Sequence, residues 1–516
     1  MLFAGALMGI WFSNNNFSSK HFFLNRDDKL QRVVKLVHDR YVDSVNIDSL
    51  EGQTVNQILQ NLDPHSLYLP PQKAQSINER LEGSFEGIGI EYLVLNDTLY
   101  ISQVYPGGPA AKAGLKGADR IVKLDGQPLT GAKLTTDYIN NAFRGKQETV
   151  LTLGVLPNGS TAIKTVKIKR DHVDLSSLDA AYMLAPGVGY VKISKFASTT
   201  DRDFRSALSK LKTQGLTKLV LDLRDNGGGY LTAATAMADE FLSGKKLIMF
   251  TKGTHDPRTD YFSTDSGQFK NGKLAILINE YSASASEILA GAMQDLDRAT
   301  IVGRRSFGKG LVQEQFAFGD GSAVNLTVAR YYTPSGRSIQ KSYKAGIDSY
   351  HNELATRMQK GELFSAKSNM DDSIFRQPSK YHTANGRKVF SGGGIMPDVF
   401  VPADTTGNTR LLYDLNNRQL FMAFVLQRLQ PALKRYPTFD SFNQGFVVND
   451  DVLTSFIIYA SKTLKEMDSD EVGRSKANIK LYLKAMAARF KWGDEGYFRV
   501  LNQDDATVKA GVEVVK

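Results

Sequence analysis

Lys273-Leu274-Ala275-Ile276-Leu277-Ile278-Asn279-Glu280-Tyr281-Ser282-Ala283-Ser284-Ala285-Ser286-Glu287 is the stretch from which the rest of the chain is read. Leu274 to Asn279 is a short apolar run closed by a turn, the pattern of a strand in a sheet covered on both faces. The spacing predicts a helix from Ser284 to about Leu296 and a second strand from Ala299 to Val302. Phe307-Gly308-Lys309-Gly310-Leu311-Val312-Gln313 follows. This strand–helix–strand order returns Lys309 to the sheet edge at which Ser284 starts its helix. A serine at a helix start ordinarily caps free N–H groups. Here small residues flank Ser284 on both sides and leave its backbone open to a substrate, and Lys309 stands between two glycines. Serine becomes a nucleophile when a base takes its proton, and a desolvated, neutral lysine can serve as that base.

Three features now carry a resemblance. They are Ser282-Ala283-Ser284-Ala285-Ser286-Glu287-Ile288, the Gly308-Lys309-Gly310 that follows the strand, and Gln313 four residues after the lysine. Together they resemble the C-terminal processing peptidases, also called tail-specific proteases, over about residues 30 to 404. The resemblance implies Ser284 as nucleophile, Lys309 as general base and Gln313 as the residue that orients the lysine. The last hundred or so residues fall outside it.

A chain of 516 residues is long enough for three or four domains. With 42% hydrophobic and 23% charged residues it has the composition of a globular protein with a sizeable core. The net charge of +10 is dispersed, with no basic block interleaved with aromatics, so a solvated basic surface is expected rather than nucleic-acid binding. The absence of cysteine rules out disulfides, thiol nucleophiles and cysteine–zinc sites, and fits the cytosol or a bacterial periplasm. Leu2 to Phe12 is an apolar run too short, at about 1.5 Å per residue, to span a bilayer core of about 30 Å. It has the character of a signal-peptide core or the end of an anchor. No Lys or Arg precedes it, and Ser13-Asn14-Asn15-Asn16 offers no cleavage site, so the given start is expected to lie inside a longer export segment. The expected location is the periplasm or cell envelope, with attachment to the inner membrane through residues 1–25.

Residues 26–84 read as an N-terminal helical region, with Leu30, Val33, Val34, Val37 and Val42 at helical spacing. Asp63-Pro64-His65-Ser66 breaks it with a turn, in which His65 is expected to be structural. Residues 85–170 contain Glu86-Gly87-Ile88-Gly89-Ile90, strands from there and from Leu99 to Val104, then Pro109-Ala110-Ala111-Lys112-Ala113-Gly114-Leu115 and Asp119 to Gly126. The ordered set resembles a PDZ domain of the bacterial protease type. Glycines at Gly87 and Gly89 free backbone N–H groups to form a nest for a terminal carboxylate, and the adjoining strand edge accepts an extended peptide. Ile88 and Ile90 are expected to form an apolar pocket for the last side chain, so the expected partners are protein C-terminal tails with apolar ends.

From Asp171 the pattern is α/β. Val188 to Ile193 reads as a strand and Thr199 to Gln214 as a helix capped by Thr200 or Asp201. Lys218 to Arg224 is a buried strand that runs into Asp225-Asn226-Gly227-Gly228-Gly229, ahead of a helix from Leu231 to Leu242. A glycine turn before a helix suits phosphate, but the P-loop Lys-Ser/Thr and the Gly-x-Gly-x-x-Gly pattern are both missing. The family resemblance implies instead that this turn supplies one oxyanion-hole amide, at Gly228, with the other at Ala285. Gly227 stands where that family often has proline, which predicts a looser turn. Two strands follow, Val312 to Phe318 and Ala323 to Tyr332. Residues 341–390 read as an insertion, and Gly392 to Val399 returns to the family pattern and to the sheet. The peptidase core is thus 171–404. Residues 405–516 have helical spacing, as in Leu411, Leu415, Met422, Val425, Leu426 and Leu429, with packing or homo-oligomerisation the expected role.

Other chemistries fit less well. No Gly-x-Ser-x-Gly elbow surrounds Ser284, none of the seven His residues carries a signature, and no His-Glu-x-x-His occurs. Arg170-Asp171-His172 offers only a local Asp–His neighbour, and Asp295 is expected to be a surface carboxylate at the helix end. The fold class expected is a multidomain α/β and mixed protein, and the function a Ser-Lys endopeptidase needing no metal or cofactor. The alternative is an inert PDZ adaptor that has kept a peptidase-like core. The intact set of Ser284, Lys309 and Gln313 weighs against it.

Overall fold

The computed structural model describes residues 29–366 and 380–516. The apolar run at residues 2–12 and residues 367–379 of the expected insertion lie outside the described residues. The chain divides into two compact units, one ending at Pro71 and taking in Gln315–Leu326, the other made of Gln72–Glu314 and Thr327–Lys516. In the smaller unit, helices Lys29–Arg40 and Ile47–Gln60 precede a strand, Leu67–Leu69, that pairs antiparallel with Ala323–Asn325. Asn46 caps the second helix through its side chain, which accepts the Ser49 N–H at 3.0 Å.

The larger unit holds the α/β core. Its six-stranded sheet runs in the order Leu178–Ala185, Val188–Ile193, Lys218–Asp222, Lys273–Ile278, Thr300–Gly303 and Val399–Phe400. The first pair is antiparallel and every later pair parallel. The parallel strands are buried on both faces, which is why they read as unbroken apolar runs. On one face Phe204, Leu208 and Leu211 of helix Thr200–Thr213 pack with Met237 of helix Leu231–Asp239 and Ile288 and Met293 of helix Ala285–Asp295. On the other face Val220, Ala275, Leu277 and Val302 meet Val508 and Val515 of the last helix, Ala506–Val515. That helix approaches so closely that a Cβ on Gly511 would stand 2.8 Å from Leu277. The C-terminal end is therefore part of the core. The cap of Thr200–Thr213 is Thr199, not Thr200 or Asp201. The Thr200 hydroxyl is taken inward, accepting the Ala197 N–H at 2.8 Å.

The PDZ portion is an antiparallel sheet of Ile90–Leu95, Thr98–Val104, Arg120–Leu124, Val150–Leu156 and Lys164–Lys169, with Gln127–Pro128 paired to the third. Helix Thr136–Phe143 packs on it through Ile139 and Phe143. Residues 410–501 form a helical layer with its own core, including Phe421, Phe442, Phe456 and Leu483. Its longest helix, Ser469–Leu501, is interrupted at Trp492 and Gly493.

Candidate active site

Three loops meet beyond the carboxyl ends of parallel strands, where open α/β sheets place their ligands. Lys218–Asp222 runs into the glycine turn, Lys273–Ile278 into the serine loop, and Thr300–Gly303 into the lysine loop. Ser284 stands at the tip of the second, immediately before its helix, with φ 54° and ψ −113°. Non-glycine residues rarely adopt this backbone, and they keep it only where surroundings fix it. Those surroundings are explicit. Asn226 accepts the Ala283 N–H at 3.0 Å and the Ser286 hydroxyl at 2.9 Å through its main-chain carbonyl. The Ser282 hydroxyl donates to Leu223 O at 2.8 Å, and the buried Tyr331 hydroxyl to Ser284 O at 3.2 Å. Ser284 O also receives the N–H groups of Glu287 and Ile288, so the main chain caps the helix.

Gly228 lies against this elbow. Its φ is 104°, and a Cβ there would meet Ser284 Cβ at 2.8 Å and Ala285 N at 3.0 Å. Only glycine permits both the backbone and the approach. The Gly228 N–H donates to Asn226 Oδ1 at 2.9 Å. That amide is therefore already engaged. Ala285 opens the helix, so its N–H belongs to the first turn, where the helix dipole favours negative charge. The turn holding Gly227 is fastened by Asn279, whose side chain accepts the Asp225 N–H at 2.9 Å and donates to Asp225 Oδ1 at 2.8 Å.

The residue that joins the serine and lysine loops is Glu287, to which the sequence reading gave no role. Its carboxylate is fully buried. Oε2 accepts the N–H of Ser284 at 2.8 Å and of Lys309 at 2.9 Å, while Oε1 accepts the N–H of Gly308 at 2.7 Å and the Ser306 hydroxyl. Burial pushes this carboxyl up to about 7, against the hydrogen bonds that favour its ionised form. The signal was present in the sequence. Ser284-x-x-Glu287 is a capping-box spacing, in which the glutamate returns to the N-cap N–H.

Lys309 is half-buried, its loop pinned by Glu287 and by the Phe307 N–H on Ser282 O at 3.0 Å. The loop is braced from behind by the segment read as an insertion. Arg357 donates to the carbonyls of Arg305 and Ser306, and Glu362 pairs with Arg305 at 2.7 Å and Arg357 at 3.0 Å. Gln313 lies on strand Leu311–Ala317, half-buried, and its amide donates to Thr327 Oγ1 at 3.2 Å. Asp295, expected on the surface, is instead buried, ion-paired with Arg337 at 2.7 Å and bonded to the Ser335 N–H and the Thr333 hydroxyl. A helix C-terminus reads as exposed in sequence, and only tertiary packing brings Arg337 over it. His65 sits in a turn built on Asp63, and His172 is exposed on strand Asp171–Asp174.

In the PDZ portion Gly87 bridges to Arg144, and Gly89 has φ 77°. Ile88 is 1% exposed in the PDZ core, and its N–H donates to Phe143 O at 3.2 Å. Ile90, half-buried, begins the edge strand.

Residues 187–349 match the model of peptidase family S41, 100–156 a PDZ domain, and 411–493 a family of unknown function (DUF8443). A carboxy-terminal-processing protease of Bartonella bacilliformis is 37% identical over 313 residues, 60% of this chain and 71% of that protein. The chain belongs to this family of PDZ-containing S41 peptidases, the carboxy-terminal-processing proteases. A probable CtpA-like serine protease of Staphylococcus aureus is 36% identical over 326 residues, 61% of this chain. The match spans 64% of that relative's length. Among solved structures, the photosystem II D1 C-terminal processing protease aligns over 72% of this chain and 86% of its own, with 25% identity and a TM-score of 0.36.

Proposed function

We propose that the protein is a serine endopeptidase that captures unstructured C-terminal tails on its PDZ domain and cleaves them with Ser284 and Lys309. The observation that carries this reading is the shared carboxylate. Glu287 Oε2 receives the main-chain N–H of both residues, which fixes the serine and lysine loops against each other. Lys309 in its neutral form takes the proton from Ser284 Oγ as the oxygen attacks the scissile carbonyl. The oxyanion lies at the Ala285 and Gly228 amides. Protonated Lys309 then gives its proton to the leaving amine, the acyl-enzyme remains, and water delivered by the same lysine releases the product. Gln313 is neutral, so it can orient the amine without holding its charge as a carboxylate would. In the PDZ portion the Gly87–Ile90 segment takes the terminal carboxylate and the strand edge takes the peptide as an added strand.

The apolar Leu2–Phe12 run and the lack of cysteine support placement in the bacterial envelope. Among the described residues no helix is long and apolar enough to cross a membrane. The test is incubation of wild type and Ser284→Ala with a protein bearing a flexible apolar tail, in free-acid and amidated forms. Cleavage by wild type alone is expected, with the free-acid tail preferred. Equal cleavage by Ser284→Ala would refute the nucleophile.

A further inference from the structure

We infer that the helical layer of residues 410–501 is the second wall of the PDZ peptide groove and reads the alternate side chains of a captured tail. The inference rests on tail capture by the PDZ domain as proposed above. Strand Ile90–Leu95 is an edge strand, paired among the described residues only with Thr98–Val104. Its side chains alternate between two environments. Ile90 and Tyr92 pack on the PDZ core, and the Tyr92 hydroxyl donates to Asn140 Oδ1 at 3.0 Å on helix Thr136–Phe143. Leu93 and Leu95 pack instead into the core of the helical layer. Glu91 points the same way and pairs with Arg489 at 3.1 Å.

A polypeptide added to the outer edge continues both faces, because successive side chains of a strand point to opposite sides. One set of its side chains turns toward helix Thr136–Phe143. The other set, which an isolated PDZ domain would leave in water, turns toward the helical layer. On that side lies a cavity of about 450 Å³, bounded by the Ile90–Leu93 edge, by Phe421, Met422 and Met486, and on its polar side by Asn416, Gln419 and Arg489. The cavity is continuous with the edge on which the tail is captured, since residues 90–93 belong to both. The open N–H and C=O groups of an edge strand select an extended chain rather than a helix or a small molecule. Methionines fill around side chains of differing shape, so the wall suits varied apolar residues. Arg489 is engaged by Glu91 and by Asp494 at 2.6 Å, so it offers no spare charge to an acidic side chain. The occupant is therefore an extended, apolar C-terminal segment, read at alternate positions by the helical layer.

The experiment uses the full chain carrying Ser284→Ala, titrated with fluorescent peptides that end in a free carboxylate. Each of the last five positions is replaced in turn by Leu, Lys or Glu. Wild-type walls should prefer Leu at one alternating set. Met486→Glu should bind Lys there about tenfold more tightly than Glu, and Met486→Lys should reverse that order. Gln419→Glu and Gln419→Lys, at an exposed position on the cavity rim, repeat the swap where the methionine variants fail to fold. A charge swap confined to alternate positions supports the second wall. Carboxylate-dependent binding with no swap in either pair overturns the wall and leaves tail capture standing. Equal binding of free-acid and amidated peptides overturns tail capture, and the inference with it.

Discussion

Ser284 and Lys309 donate their main-chain N–H groups to one oxygen atom, Oε2 of Glu287, at 2.8 and 2.9 Å. The serine and lysine loops are thus joined through a third side chain buried between them.

Glu287→Gln should disable the site while leaving the fold. An amide has one acceptor oxygen, so its NH₂ would face main-chain donors. Hydrogen bonds to a charged acceptor contribute about 1.5 to 3 kcal/mol each, so a loss of two or more orders of magnitude in kcat is expected. Single-turnover cleavage with far-UV circular dichroism as control checks this. The wild-type carboxyl is pushed up to about 7 from 4.5, so it takes a proton as pH falls through 7, and activity should fall with it. The same shift means the folded state holds this proton more tightly than the unfolded chain. This group alone therefore lowers stability as pH rises from about 4.5 to 7, with no further change above. Denaturant melts of wild type and Glu287→Gln across that window should differ in slope in this sense.

Lys309→Arg should be as inactive as Lys309→Ala, because a guanidinium keeps its proton at any usable pH. Gln313→Glu should lower turnover at neutral pH, because a carboxylate beside the amine stabilises the ammonium. Substantial turnover by Lys309→Arg at neutral pH would remove the lysine as base.

Gly228→Ala should reduce kcat by about a hundredfold or more. The added carbon stands 2.8 Å from Ser284 Cβ at a backbone φ of 104°, so the turn must move away from the elbow and carry its amide with it. KM for a tail substrate should change little, because the PDZ strand edge is untouched. A fall in both parameters alike would place the damage elsewhere.

Glu362→Gln should cost about 3 to 5 kcal/mol of stability, because it leaves Arg305 and Arg357 buried without their shared carboxylate. Burial pushes the Glu362 carboxyl up, but the pairs with Arg305 and Arg357 hold it below its ordinary value. Its contribution is therefore present at neutral pH and lost as pH falls through the depressed value. Urea denaturation at neutral and acid pH measures both effects.

The sequence alone determined the central parallel strands, the serine–lysine spacing and the PDZ pattern, because each is a local signal, whereas Leu178–Ala185, Val150–Leu156 and Lys164–Lys169 did not stand out in it. Leu274 to Asn279 read as a strand buried on both faces, which the structure places at Lys273–Ile278, and Gly87 to Ile90 announced a turn into an edge strand. Tertiary structure decided what those segments touch. Asp295 is buried because Arg337, distant in the chain, closes over it. The Gly228 amide is engaged because Asn226 turns its side chain back on the loop. Residues 506–515 complete the core, and 410–501 line the PDZ edge, because apolar faces are matched through space across hundreds of residues. Periodicity records that a helix has an apolar face. It carries no record of which surface will cover it, since burial is non-directional and is settled only when the whole chain packs.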